Sequence, residues 1–117
     1  MNLDSLEIAE IRALSVEELN NLPYGVIEMS TDGIVHRYNK YESDAAGLSS
    51  ESVIGRNFFK EVALCLNDHM VAERFFGAEV LDTTFEYVFS FRLRPNNVTL
   101  RLFKDKSGGM MLLLRHV

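Results

Sequence analysis

Polar and apolar positions follow a helical period at the start of this chain and a strand period towards its end. Residues 4 to 22 carry Leu6, Ile8, Ile11, Leu14, Leu19 and Leu22 at roughly helical spacing, which predicts an amphipathic lead-in whose apolar face must cover something. Ser15 and Glu18 have the spacing of a capping box and predict the start of a second short helix. Pro23 ends the lead-in, because the residue before a proline is pushed out of the helical region. "YGVIEMS" then reads as a strand, "TDG" as a turn and "IVHRY" as its hairpin partner. Residues 39 to 62 read as short helical pieces broken by Gly47 and Gly55, and residues 68 to 80 as a helix carrying Met70, Val71, Phe75 and Ala78. In "TTFEYVFSFRLRP" the side chains of Phe85, Tyr87, Phe89 and Phe91 alternate with Glu86, Val88, Ser90 and Arg92. "NN" follows as a turn, "VTLRLFK" as a strand, "KSGG" as a turn and "MMLLLRHV" as the last strand.

That order predicts an α+β domain, with short helices on one face of an antiparallel sheet. If the last three strands are consecutive hairpins pairing back onto the first, the strand order is 2-1-5-4-3. Residues 1–22 are then an N-terminal helical cap and residues 23–117 the core. A chain of 117 residues, 47% hydrophobic and 25% charged, suits one globular domain. "MMLLL" is strand-sized and too short to span a bilayer, and the acidic, amphipathic start lacks the features of a secretion signal. The single cysteine cannot form an internal disulfide, which fits a reducing cytoplasm.

The formal charge is −5 and the basic residues are scattered, so neither nucleic acid nor membrane is expected as a partner. Arg92 with Arg94, and Lys104 with Lys106, read as solvated strand faces. No phosphate loop or nucleophile elbow is present, and an enzyme is not expected.

Chemistry centres on Cys65, which has apolar neighbours in "EVALCLNDH" and His69 four residues later. Free cysteine most often packs as a small hydrophobe, yet this is the one thiol able to act as a nucleophile. Cys65 and His69 alone are an incomplete ligand set for zinc; no metal site is expected. Tyr38 and Glu42 are also four apart, and a helical turn over 39 to 45 would aim both at one acceptor. A buried Glu42 would hold its proton near neutral pH. The plainer alternative leaves Tyr38 at a strand end and Glu42 in water.

"YNKYESDAAGLSSESVIGRNFF", "KEVALC" and "FEYVFSFRLRP" together resemble the photoactive yellow protein branch of the PAS superfamily, over nearly the whole chain. The resemblance implies the PAS fold, a five-stranded antiparallel sheet with short helices on one face and an N-terminal helical cap. It also implies p-coumaric acid (4-hydroxycinnamic acid) held as a thioester on Cys65. Tyr38 and Glu42 would hydrogen-bond its phenolate, and Phe58 and Phe89 would line its pocket. Three positions depart from the family pattern: Ala46 stands where a threonine is usual, Leu48 where an arginine is usual and Leu64 where a proline is usual.

Two functions follow. The first is a blue-light photoreceptor in which isomerisation and proton transfer from Glu42 lead to signalling through an unidentified signalling protein. The second is a chromophore-free PAS sensory or interaction module, binding a small ligand or a protein partner through dimerisation.

Overall fold

Two strands with almost no polar residues sit at the middle of the sheet. In the computed structural model, which describes residues 2–89, 96–107 and 109–116, these are β1 (Gly25–Met29) and β5 (Gly109–His116), paired antiparallel with Ile27 opposite Leu112. β2 (Val35–Tyr38) flanks β1, while β4 (Asn96–Asp105) and then β3 (Leu81–Phe89) extend the other side. The order is β2-β1-β5-β4-β3, every pairing antiparallel, as the sequence predicts.

An unbroken apolar run such as that of β5 marks a strand buried on both faces. Met110, Leu112 and Leu114 enter one core with Ile27, Met29, Val98, Leu100 and Leu102. Met111 and Leu113 face the other way, into a second core with Val26. The first face is covered by α3 (Lys40–Ala46), α4 (Ser50–Val53), a π-helical turn (Phe58–Val62), a 3-10 turn (Leu64–Leu66) and α5 (Ala72–Phe76).

The N-terminal segment covers the second face. A 3-10 turn (Leu3–Ser5), α1 (Ile8–Ala13) and α2 (Val16–Asn20) bury Leu3, Ile8, Ile11 and Leu19 there. Burying each such side chain contributes about 1.5–3 kcal/mol. The capping box is present: the Ser15 side chain accepts from Glu18 N–H, and the Glu18 carboxylate accepts from Ser15 N–H.

Polar anchors hold the segment as well. Arg101 of β4 forks onto Asp82 at 2.8 and 2.9 Å, and its remaining nitrogen donates to the carbonyls of Leu3 and Leu6 at 2.9 and 2.7 Å. Arg37 of β2 pairs with Glu28 and donates to the carbonyls of Ile11, Arg12 and Leu14. These carbonyls lie at the C-terminal end of α1, where a helix runs short of donors, although that of Ile11 also accepts from Leu14 N–H. Arg12 of the segment pairs with Asp105 at 2.6 Å and lies 5.3 Å from the centre of the Phe103 ring.

Two expectations need correction. The helix expected over 68 to 80 is confined to Ala72–Phe76. The Asp68 side chain instead accepts from Met70 and Val71 N–H and shapes a turn, and Gly77 closes the helix. Asn96 and Asn97 are not a turn; they pair with Phe89 and Val88 inside the β3–β4 ladder. Phe91, Arg92 and Arg94 lie outside the described residues.

Candidate functional site

Asn39 fixes the entry to the site. Its side chain is buried, caps α3 by accepting from Glu42 N–H, and also accepts from Val26 N–H at 3.0 Å. Its amide nitrogen donates to the carbonyls of Leu19 and Tyr24, both at 2.9 Å. All of its bonding capacity is therefore spent tying α3 to β1 and to the end of α2. Tyr38 closes β2 and Glu42 sits in the first turn of α3. The helical turn expected over 39 to 45 is present as α3, and with Tyr38 at the end of the strand just before it, both side chains come to one place.

A second stretch supplies the opposite lining. Asn57 caps the π-helical turn by accepting from Phe59 and Lys60 N–H, and this turn buries Phe58. The 3-10 turn that follows carries Cys65. Tyr87 of β3 braces it, donating to Asp68 and lying 3.4 Å from the Cys65 carbonyl.

Between these elements lies a cavity of about 350 Å³, within the range of small-ligand sites. Cys65, Tyr38, Glu42, Phe58 and Phe89, all five residues singled out by sequence, line it. So do Ala46, Leu48 and Leu64, the three departures from the family pattern, and Leu64 is 67% exposed. Ile27, Leu112 and Leu114 form the sheet side. Sequence reasoning did not name them, although their alternation on paired strands was a usable signal. His69 is exposed and is not part of the lining.

Glu42 is 7% exposed, and its Oε2 is buried without a hydrogen-bond partner among the described residues. Burial raises its carboxyl to about 7, so its protonated form persists well above the ordinary carboxylate range. Tyr38 is raised well above the usual phenol range, first by burial and then by the charge of Glu42. Burial also pushes the Cys65 thiol up, and the Asp68 carboxylate adds to this.

The Glu42 shift predicts how stability depends on pH. With its folded-state value above the ordinary 4.5, the folded chain holds this proton more tightly than the unfolded chain. The contribution is complete below about pH 4.5 and is lost as pH rises through about 7, amounting to about 3 kcal/mol. Urea titrations of the ligand-free protein across this window should record the fall, and Glu42→Gln should flatten it.

The residue set suits a small phenolic acyl group. A thiol, two aromatic rings, a phenol donor and a buried carboxyl, one oxygen of which has no partner among the described residues, share one apolar cavity. The orphaned Glu42 Oε2 asks for a hydroxyl or phenolate oxygen, since an unsatisfied buried polar atom costs about 1–3 kcal/mol.

No family model matches the chain. A photoactive yellow protein from Halochromatium salexigens is 36% identical over 94 residues, covering 78% of this chain and 75% of that protein. One from Rhodothalassium salexigens is 31% identical over 94 residues, with the same coverage. Among solved structures, the photoactive yellow protein domain from the sensor histidine kinase Ppr of Rhodospirillum centenum superposes with a TM-score of 0.83 at 35% identity. That match covers 92% of this chain and 97% of that one. The PAS domain of an HTR-like protein from Haloarcula marismortui shares the fold, at a TM-score of 0.62 and 18% identity. Sequence identity over most of the chain, the five-strand order and the superposition agree: this chain belongs to the photoactive yellow protein family and has the PAS fold.

Proposed function

We propose that this chain is a blue-light photoreceptor domain that holds 4-hydroxycinnamic acid as a thioester on Cys65. The observation that carries the reading is the cavity that Cys65 shares with Tyr38 and with Glu42, whose buried Oε2 has no hydrogen-bond partner among the described residues. When bound, the group supplies visible absorption and a double bond able to isomerise. Cys65 anchors it, and Phe58 and Phe89, 2% and 5% exposed, exclude water around it. Tyr38 donates through its hydroxyl, and Glu42 holds a transferable proton on its carboxyl. Both donors favour an ionised partner, because hydrogen bonds to a charged oxygen are the strong ones.

If Glu42 gives up that proton, a carboxylate is left in an apolar site. An uncompensated buried charge costs several kcal/mol, which is large against a fold stable by about 5–15 kcal/mol. Asn39 links α3, which carries this charge, to α2, so strain there reaches the N-terminal segment. That segment is the part proposed to loosen. The output is proposed to be a signalling protein, a reading supported by the relative that is a domain of a sensor histidine kinase. Cytoplasmic placement is part of the proposal; no helix among the described residues is long and apolar enough to cross a membrane. No catalytic turnover is assigned.

The second reading is a PAS module that takes a small apolar ligand without a covalent bond. Ala46, Leu48 and Leu64 in the cavity lining favour it, each apolar where the family pattern is polar or rigid.

The test is the absorption of protein loaded with an activated 4-hydroxycinnamic ester. Tyr38→Phe should raise the pH at which the bound phenol ionises by about one unit, because the phenolate loses a donor. Glu42→Gln keeps a donor and removes the transferable proton, so the dark band should shift while the light-driven change shrinks. Spectra unaltered by both substitutions would mean that neither residue faces the ligand.

A further inference from the structure

Gly25 opens β1 and pairs with Leu114 of β5. Its backbone is not in the left-handed region, which is occupied here by Gly33, Gly47, Gly55 and Gly109. Its backbone conformation therefore gives no reason for a glycine at this position. A Cβ at this position would lie 2.5 Å from Glu42 Oε2 and 3.4 Å from both Glu42 Cβ and the Leu114 carbonyl. The carboxyl occupies the space that any other residue would fill.

We propose that Gly25 is a positioning residue, its absent side chain forming the seat that holds the Glu42 carboxyl against β1 and keeps it facing the cavity. Helix α3 has no freedom to back away from a larger residue, because Asn39 at its cap is bonded to Val26 N–H, next to Gly25. A methyl group at 25 would displace the flexible carboxyl instead of the helix. The carboxyl would move off the strand to a more hydrated position. The use of this seat for holding a ligand rests on the photoreceptor reading; the seat itself does not.

Few other charges face Glu42. Tyr38 of β2 and Cys65 of the 3-10 turn share its cavity, whereas β1 and β5 present only Ile27, Leu112 and Leu114 there. On its own helix, Lys40 and Asp44 pair with each other in solvent. A change in the Glu42 titration after substitution at 25 therefore reports the place of the carboxyl, not a new charged neighbour.

The experiment is carboxyl-carbon NMR titration of Glu42 in ligand-free wild type and Gly25→Ala. The wild-type midpoint should fall at about 7, and that of Gly25→Ala should be lower by about one pH unit or more, a tenfold change in proton affinity. A midpoint unchanged in Gly25→Ala would overturn the proposal. Urea unfolding at pH 5 guards against a variant that folds poorly. Stability lost through Gly25→Ala should be recovered when Glu42→Ala is added, since the overlapping group is then gone. An equal loss in the presence and absence of the Glu42 carboxyl would overturn the seat. Neither readout involves the ligand, so failure of acyl loading leaves this inference standing and failure of the seat leaves loading untested by it.

Discussion

Cys65→Ala should abolish covalent loading outright and leave the fold intact. Cys65 is the one thiol in the chain, so no other residue can form a thioester. Loading requires the Cys65 thiolate to attack the carbonyl carbon of an activated acyl donor. The sulfur–carbon bond forms as the bond to the leaving group breaks, and the thiol proton goes to solvent. Partial desolvation by the packed neighbours and the Asp68 carboxylate hold the thiol above its usual range, so little thiolate is present at neutral pH and the loading rate should climb with pH. The substitution itself should cost little stability. Cys65 is exposed, while the neighbouring Leu66 is the buried member of that turn, and exposed substitutions usually fall within about 0.5 kcal/mol. Intact mass after incubation with the donor gives the answer. A Cys65→Ala chain that still gains one acyl group would place the attachment elsewhere.

The second large effect is expected at Arg101. Its guanidinium is buried and bonds Asp82 on the neighbouring strand together with two carbonyls of the N-terminal segment. Arg101→Ala removes charged donors from Leu3 and Leu6 and should cost about 2–3 kcal/mol. Arg101→Lys should recover only part of this, since an ammonium cannot reproduce the planar fork. The loss should be local before it is global. Amide exchange should accelerate through Ile8–Ala13 more than through the central strand Gly109–His116, because the carbonyls Arg101 holds, Leu3 and Leu6, lie just before that helix. Equal acceleration in both would mean that Arg101 supports the sheet and does not secure the segment.

Local patterns in the sequence carried the sheet well and the polar anchors badly. The uninterrupted "MMLLL" run announced the last strand, and Ser15 with Glu18 announced the start of α2, because both signals are complete within a few residues; that β5 is buried on both faces came from the structure. Arg101 reaches Leu3 across 98 positions and Arg37 reaches Leu14 across 23; bonds to backbone carbonyls leave no mark on the partner's side chain. Helix α5 was overextended because Met70 and Val71 keep a helical period while Asp68 takes their N–H groups into a turn. The "NN" pair looks like a turn, yet cross-strand pairing with Val88 and Phe89 overrides that preference. At the site, family resemblance named Cys65, Tyr38, Glu42, Phe58 and Phe89, and the cavity brings all five together. Gly25 carries no local mark in the sequence, because its requirement comes from a side chain 17 positions away.

The measurement closest to the central claim is the intact mass and visible absorption of the wild-type chain after incubation with an activated 4-hydroxycinnamic ester, repeated after unfolding in denaturant at neutral pH. The account predicts one acyl group per chain and a visible band that moves towards the ultraviolet when the fold is lost, since Tyr38 and Glu42 then no longer stabilise the phenolate. An unmodified mass with the fold intact, or an acylated chain whose absorption is the same folded and unfolded, would contradict it.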